Sequence, residues 1–267
     1  MRLKLLIYTA IVVAEIACGY AGFWQGVYFF KPLIMLSLLI WTRDYLKIYP
    51  WLWIGMWFGL GGDVFLMIRG KDLFVAGLGS FLIMQICYIV AFGKSLRPDG
   101  KAALRTAWWR LALPFAIYGL SFLAILYQPI AGNAATKGLW VPVVAYSVCL
   151  CSMGVAAAFR KGSVNDSSYS WVLAGAVLFI LSDSTIALNK FLQHFDMASL
   201  LVMTTYGAAQ WLIVWGLPNV EGHNFLSVGE TYINRFVKHF EHSIPINLFL
   251  RGHQLYFQNQ FYSRRGQ

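Results

Sequence analysis

The chain has 267 residues, of which 59% are hydrophobic and only 12% are charged. Soluble globular domains usually carry about 25% charged residues. With a mean hydropathy of +0.60, a chain of this length cannot hide its apolar surface from water by folding alone. The composition excludes a soluble enzyme, a disordered chain and a secreted disulfide scaffold, and it predicts an all-α integral membrane protein.

The net charge of +10 would suggest nucleic acid as the partner of a soluble protein. In a membrane protein it has a simpler cause, because cytoplasmic loops carry an excess of Lys and Arg. We therefore expect membrane lipids around this protein and no nucleic acid.

The apolar stretches are long enough for eight transmembrane helices of about 20 residues each. In chain order they cover residues 3–21, 32–49, 51–68, 73–93, 107–127, 138–159, 170–191 and 198–217. The second stretch is the least regular, because Pro32 stands at its start and basic residues crowd its end. Residues 1–217 thus form a predicted transmembrane domain with short connections, so an active site must lie in the bundle or at its surface.

The distribution of basic residues predicts the orientation of this bundle. If the N-terminus is cytoplasmic, most of the 21 Lys and Arg residues fall on the cytoplasmic side, and an even helix number makes both termini cytoplasmic. Residues 218–267 then form a basic cytoplasmic tail, which fits an interfacial amphipathic helix and a disordered segment equally well. A bacterial inner membrane is favoured because the C-terminus shows no retention signal, and an intracellular eukaryotic membrane is the alternative.

Three acidic residues lie well inside the predicted spans: Glu15, Asp63 and Asp183. A charge in a membrane helix costs free energy, so its presence indicates a function or an ion pair. At a rise of about 1.5 Å per residue, Asp63 and Asp183 lie about 9 Å and about 10 Å from the outer ends of their helices. We expect the three carboxyl groups to share one cavity. Lys31, at the outer start of the second helix, could neutralise one of them, and a structural Glu15–Lys31 pair is an equal alternative.

Uncharged polar residues could complete this site. Gln85 and Tyr88 share one helix face, and Tyr206 and Gln210 share another, so these four could line the deeper part of the cavity. Asn189 lies at about the same outer depth as the carboxyl groups. The alternative role of such residues is to join helices by hydrogen bonds.

Other features of the sequence limit the kinds of catalytic site that the chain could form. Gly55 and Gly59 stand on the same helix face as Asp63, where close helix packing is a more common role than ligand space. None of the five histidines lies inside a predicted span, which argues against a His-ligated zinc site. The chain has no G-x-S-x-G motif, and no Ser–His arrangement can form within the predicted spans. An enzyme of this kind would use carboxyl groups, amides, Tyr and water, and would need no metal or organic cofactor.

Several motifs follow one another in a characteristic order. They are Lys31-Pro32-Leu33, Gly62-Asp63-Val64-Phe65-Leu66, Gly77-Leu78-Gly79-Ser80-Phe81, Gly175-Ala176-Val177-Leu178-Phe179, Ser182-Asp183-Ser184, Ala187-Leu188-Asn189-Lys190-Phe191, and Tyr206 with Gln210. In these motifs, residues 3–217 resemble the YhhN family of membrane proteins, whose characterised members are lysoplasmalogenases. Family members often carry a His at the position of Gln85, and the tail beyond residue 217 is longer than usual for the family.

The resemblance implies hydrolysis of the vinyl-ether bond of a lysoplasmalogen, which is a lysophospholipid. The products are a fatty aldehyde and a glycerophospho-ethanolamine or -choline. The reaction needs a proton donor, a negative group near an oxocarbenium ion and a base for water, and two carboxyl groups can divide these roles, as in glycosidases. We expect Asp183 to be the acid and Asp63 the base, with the reverse assignment left open.

The resemblance also suggests roles for the surrounding side chains. Lys31, Asn189 and Tyr206 could position the glycerol or phosphate head, while Gln85 or Gln210 could hold water. Two other functions fit the same residues. One is a proton-coupled carrier of a lipid or small molecule, which predicts transport into vesicles without product, and the other is a non-catalytic lipid-binding protein.

Overall fold

The computed structural model describes residues 2–68, 73–96 and 98–218, without the side chains of residues 98–107. Within these residues the chain is helical throughout, and a short 3₁₀ turn at Lys137–Leu139 precedes α7. The predicted tail lies outside the described residues, apart from Pro218. The helices are α1 (Arg2–Tyr20), α2 (Trp24–Trp41), α3 (Tyr45–Ile48), α4 (Pro50–Met67), α5 (Phe74–Lys94), α6 (Pro98–Ala131), α7 (Trp140–Ala158), α8 (Asp166–Phe191) and α9 (Ala198–Gly216).

Seven helices among the described residues are long and apolar enough to cross a membrane. They are α1, α2, α5, α8, α9, the part of α6 from Trp108 to Ala131, and the segment Lys137–Ala158 that contains α7. The protein is therefore a polytopic, all-helical membrane protein. The helix α4 matches the predicted span 51–68 in position and length, but it is not one of the seven.

The bounds predicted for the second span are wrong. The helix α2 begins at Trp24 instead of Pro32, and it ends at Trp41. It starts directly after a turn at Gly22, whose φ of 69° is a conformation that favours glycine. Pro32 lies inside α2, which a membrane helix tolerates when its neighbours satisfy the freed carbonyl group. Lys31 consequently lies within the helix and not at its outer start.

Seven helices close into a ring, in which each packs against the next in the order α1, α2, α4, α5, α7, α8, α9 and back to α1. The long helix α6 packs outside this ring, chiefly against α7. The α4–α5 contact is among the most extensive. A Cβ at Gly55 would lie 2.9 Å from the ring of Tyr88, and one at Gly59 would lie 2.9 Å from the sulfur of Met84. The packing role predicted for these glycines is confirmed.

One end of the ring is held by Arg160, whose side chain is fully buried after the end of α7. Its guanidinium donates to the hydroxyl of Ser95 beyond α5 at 3.0 Å, to the hydroxyl of Ser168 in α8 at 2.7 Å and to the carbonyl of Leu217 beyond α9 at 3.4 Å. Burial lowers the pKa of Arg160 to about 10, so the group stays protonated at neutral pH. A single side chain therefore ties three helix ends together.

Candidate active site

An apolar cavity extends inward from the opposite end of the bundle, where α4 ends, α5 begins and α8 ends. It contains about 670 Å³ of empty space, including its open mouth. Its wall is mostly aliphatic and aromatic, with a polar spot around Asp183, and such a cavity suits an apolar ligand with one reactive group. The lining residues are Leu66, Phe74, Leu78, Phe81, Tyr118, Gly119, Phe122, Leu126, Val143, Tyr146, Ser147, Leu150, Cys151, Asp183, Ser184, Ile186, Ala187 and Phe191.

Asp183 is the one residue with a carboxyl group among the described residues that line this cavity. Tyr146 of α7 donates a hydrogen bond to its Oδ2 at 2.5 Å. Gln85 of α5 donates to the same oxygen through a longer contact of 3.5 Å. The other oxygen, Oδ1, accepts no hydrogen bond from the described residues. Two donors on one oxygen orient the carboxyl group and leave the other oxygen available to a ligand or a proton.

Tyr118 and Ser184, two further residues of the cavity wall with hydroxyl groups, form hydrogen bonds to protein groups other than Asp183. Ser184 donates to the carbonyl of Ile180 at 2.6 Å. The hydroxyl of Tyr118 lies 2.5 Å from Ser184 Oγ, and because the Ser184 proton is already engaged, Tyr118 is the donor in that contact. Of the two tyrosines on the cavity wall, only Tyr146 therefore donates a hydrogen bond to the carboxyl group of Asp183.

Asp63 lies behind the cavity wall. It is 2% exposed, and its Oδ2 accepts a hydrogen bond from Tyr206 of α9 at 2.7 Å. Phe81 lines the cavity, and its ring packs against Gly62 and against the ring of Tyr206, with 6.1 Å between the two ring centroids. Phe81 thus stands between the cavity and the Asp63–Tyr206 pair. The carboxyl groups of Asp63 and Asp183 are nevertheless close enough for their charges to interact.

The expectation of one cavity shared by three acids is therefore not met among the described residues, since Asp183 alone of the three lines it. Glu15 of α1 is 3% exposed, and its Oε2 accepts no hydrogen bond from the described residues. Lys31 is close enough to Glu15 and to Asp63 for their charges to interact. These three residues form a second charged group, on α1, α2 and α4.

The remaining predicted residues are not among those that line the cavity. Tyr88 donates to Gln210 Oε1 at 2.8 Å, and Gln210 lies 3.4 Å from the sulfur of Met84, so this set joins α5 to α9. Gln85 Oε1 is buried and accepts no hydrogen bond from the described residues. Asn189 accepts a hydrogen bond from the backbone of Phe195 at 3.1 Å and so fixes the connection between α8 and α9.

Sequence reasoning missed Tyr146 and Phe81. Both stand in apolar spans, where aromatic side chains are common. The one available signal for Tyr146 was its hydroxyl, because a buried Tyr hydroxyl usually has a hydrogen-bond partner. In the described part of the chain, no three His, Cys, Asp or Glu side chains come together in a way that could hold a metal ion.

Comparison with known proteins identifies the family to which the chain belongs. The sequence profile of the YhhN family matches residues 26–217. The chain is 34% identical to lysoplasmalogenase TMEM86A of Bos taurus over 166 residues, which cover 61% of this chain and 62% of that protein. It is 29% identical to lysoplasmalogenase TMEM86B of Rattus norvegicus over 184 residues, or 68% of each chain. A lysoplasmalogenase of Mycobacterium bovis is 29% identical over 143 residues, 54% of this chain and 50% of that one.

The matched segment thus spans about 62% of the length of the bovine relative. No solved structure matches the chain.

Proposed function

Because the chain belongs to the YhhN family and resembles mammalian and mycobacterial proteins named lysoplasmalogenases, we propose that it hydrolyses the vinyl-ether bond of lysoplasmalogens. Water and the alkenyl lipid give a fatty aldehyde and glycerophospho-ethanolamine or -choline. The observation that carries this proposal is Asp183, which two donors orient on the wall of an apolar cavity. The alkenyl chain lies in the cavity, with its ether bond at the carboxyl group.

The first step is proton transfer from Asp183 to carbon. The carboxyl group gives its proton from Oδ1 to the distal alkenyl carbon, whose double-bond electrons form the new C–H bond. The carbon attached to oxygen becomes an oxocarbenium ion, and the carboxylate left behind stabilises it. Tyr146 and Gln85 both donate to Oδ2, so they hold the carboxyl group in position and stabilise the carboxylate as it forms.

The second step is attack by water, with Asp63 as the base. Water forms a C–O bond to the oxocarbenium carbon, and Asp63 accepts the proton that the water loses. In the resulting hemiacetal the Asp183 carboxylate takes the hydroxyl proton as the C=O bond of the aldehyde forms, and Asp63 returns its proton to the glycerol oxygen as the C–O bond breaks. This step regenerates both carboxyl groups in their starting states. Since Phe81 separates Asp63 from the cavity, its ring has to turn away from Gly62 for water to bridge the two sites. Every proton comes from water or a carboxyl group, so the scheme gives no role to a metal or an organic cofactor.

We also propose that α4 crosses the membrane, which makes eight spans with both termini cytoplasmic. The helix has 18 residues, or about 27 Å at about 1.5 Å per residue, and it takes a place in the ring between α2 and α5. The basic residues of the connections support this orientation. The mouth of the cavity then lies on the non-cytoplasmic side.

The test is aldehyde release by the purified chain from a 1-alkenyl-lysophospholipid in D₂O. Protonation at carbon predicts an aldehyde that carries one deuterium at C2, while a 1-acyl-lysophospholipid stays intact. A reference aldehyde, incubated with the protein in the same buffer, measures exchange that occurs after the reaction. No aldehyde from folded protein, or an aldehyde without deuterium beyond that exchange, would refute the proposal.

A further inference from the structure

A positive charge stands at the mouth of the cavity, and the mechanism above does not use it. Phe74 and Phe191 line the cavity and meet edge to face, with 5.7 Å between their ring centroids. The ammonium group of Lys190 lies 4.3 Å from the centroid of the Phe74 ring and 6.0 Å from that of Phe191. The side chain is exposed, and none of the described lining residues is basic.

Lys190 and Asp183 lie on the same face of α8. They are seven residues apart, which is close to two helical turns, so their side chains project from the same side of the helix. Ile186 and Ala187, which lie between them in sequence, line the cavity. At a rise of about 1.5 Å per residue, the two positions are about 10 Å apart along the helix.

We propose that Lys190 binds the phosphate of a single-chain phospholipid whose hydrocarbon chain occupies the cavity. The inference rests on the proposed function and identifies how its substrate is positioned. In a lysoplasmalogen, seven bonds join the phosphorus atom to the alkenyl carbon that receives the proton. An extended run of seven bonds spans about 8 Å, at the roughly 1.2 Å per bond of an extended chain. This span is comparable with the separation of about 10 Å between the two positions along α8, so a phosphate held by Lys190 brings that carbon near Asp183.

The residues first expected to hold the head group are less well placed. The side chain of Asn189 is engaged by the backbone of Phe195. Lys31 lies within α2 and is not a lining residue. By contrast, Lys190 touches two side chains of the cavity wall and extends into the surroundings from which a head group would approach.

A purely structural role for Lys190 makes a different prediction. A Lys in the last turn of a helix stabilises that helix through its dipole, and an ammonium over an aromatic ring adds a cation–π contact. Neither effect depends on whether a ligand carries phosphate. A comparison of two ligands that share a chain and differ in phosphate therefore separates the two roles.

The experiment measures binding of two saturated ethers, which the protein cannot hydrolyse by this mechanism. The ligands are 1-hexadecyl-lysophosphatidylethanolamine and phosphate-free 1-hexadecylglycerol, and native mass spectrometry of the full chain gives the Kd of each. Lys190→Met should weaken binding of the phospholipid about tenfold, which corresponds to about 1.4 kcal/mol. Binding of 1-hexadecylglycerol should not change, and Lys190→Arg should restore binding of the phospholipid. Lys137→Met, which removes another exposed charge, is the matched control and should change neither Kd.

If Lys190→Met weakens the binding of both ligands equally, or changes the Kd of neither, the proposal is overturned. The same holds if Lys137→Met has the same effect as Lys190→Met. Because the ligands are not cleaved, the result does not depend on catalysis. A chain that shows the Lys190 effect but releases no aldehyde from an alkenyl lipid would refute the proposed hydrolysis and not the phosphate site.

Discussion

The carboxyl groups of Asp183 and Asp63 are both buried, and each accepts a hydrogen bond from a tyrosine. Their surroundings differ. Asp183 lines an apolar cavity, whereas Asp63 is separated from that cavity by Phe81. A proton donor has to reach the atom that it protonates. The difference in position therefore supports Asp183 as the acid and leaves Asp63 the role of a base that acts on water.

The hydrogen bond from Tyr146 to Asp183 predicts a specific effect on rate. Tyr146→Phe keeps the ring on the cavity wall and removes the hydroxyl group that donates to Oδ2. Hydrogen bonds to charged groups contribute about 1.5–3 kcal/mol, so kcat for aldehyde release should fall at least about tenfold while KM stays nearly constant. Tyr127→Phe, an exposed tyrosine of α6 outside the cavity, is the control. An unchanged kcat for Tyr146→Phe would show that this hydrogen bond does not serve the reaction.

The site residues that could be predicted from the sequence are the charged and amide side chains within apolar segments. Asp63, Asp183 and Gln85 could be singled out because charges and amides are rare in apolar helices. Tyr146 and Phe81 could not, because aromatic residues make up 17% of the chain and nothing in the sequence separates those on the cavity from those that face lipid. Which oxygen of a carboxyl group accepts a hydrogen bond depends on contacts between helices, and sequence spacing does not contain them.

At the scale of helices, composition located the spans but missed the start of α2 and both ends of α6, which runs from Pro98 to Ala131 where 107–127 was predicted. The predicted bounds of α5, α7 and α9 agree with the structure within about two residues, the uncertainty usual for helix ends. The start of α2 could not be found in this way, because Pro32 looks like a first-turn residue. The turn at Gly22 starts the helix earlier. Because α2 starts at Trp24 and not at Pro32, Lys31 lies inside the helix and not at its predicted outer end.

The glycine face of α4 predicts a difference between two glycine substitutions. A Cβ at Gly55 would lie 2.9 Å from the Tyr88 ring and 3.0 Å from Cys87 Cβ, while a Cβ at Gly79 in α5 meets nothing within 4 Å. Overpacking a buried contact costs about 1–3 kcal/mol, so Gly55→Ala should lower the thermal unfolding midpoint in detergent. Gly79→Ala should leave that midpoint unchanged or raise it, because Ala favours the helix. Equal midpoints for both variants would contradict the close α4–α5 contact.

For the molecule as a whole, composition predicted an all-helical membrane protein, and the structure confirms it with seven helices suited to span a membrane among the described residues. The ring order could not be predicted. A membrane helix is apolar on its lipid-facing side as well as toward its neighbours, so hydrophobic patterning does not reveal which helices touch. The ring brings α4, α5, α7 and α8 together, and α6 packs against it to complete the cavity wall, so the candidate site depends on that arrangement.

The eight-span topology predicts that the two ends of α4 lie on opposite sides of the membrane. In a background without the four native cysteines, Asp44→Cys before α4 and Ile68→Cys after it should react with a membrane-impermeant reagent from opposite sides of sealed vesicles. Lys137→Cys should react from the same side as Ile68→Cys, because α5 and α6 return the chain to that side. Labelling of Asp44→Cys and Ile68→Cys from one side would show that α4 does not cross the membrane.

The most direct test of the central claim compares two aspartates of α8. Asp183 lies on the cavity wall, whereas Asp166 is exposed in the first turn of the same helix. General acid catalysis contributes about 10²–10⁴ in rate, so Asp183→Asn should lower aldehyde release from a 1-alkenyl-lysophospholipid at least about a hundredfold while its unfolding midpoint stays close to that of the wild type. Asp166→Asn should retain the wild-type rate. A folded Asp183→Asn protein with wild-type aldehyde release would contradict the account.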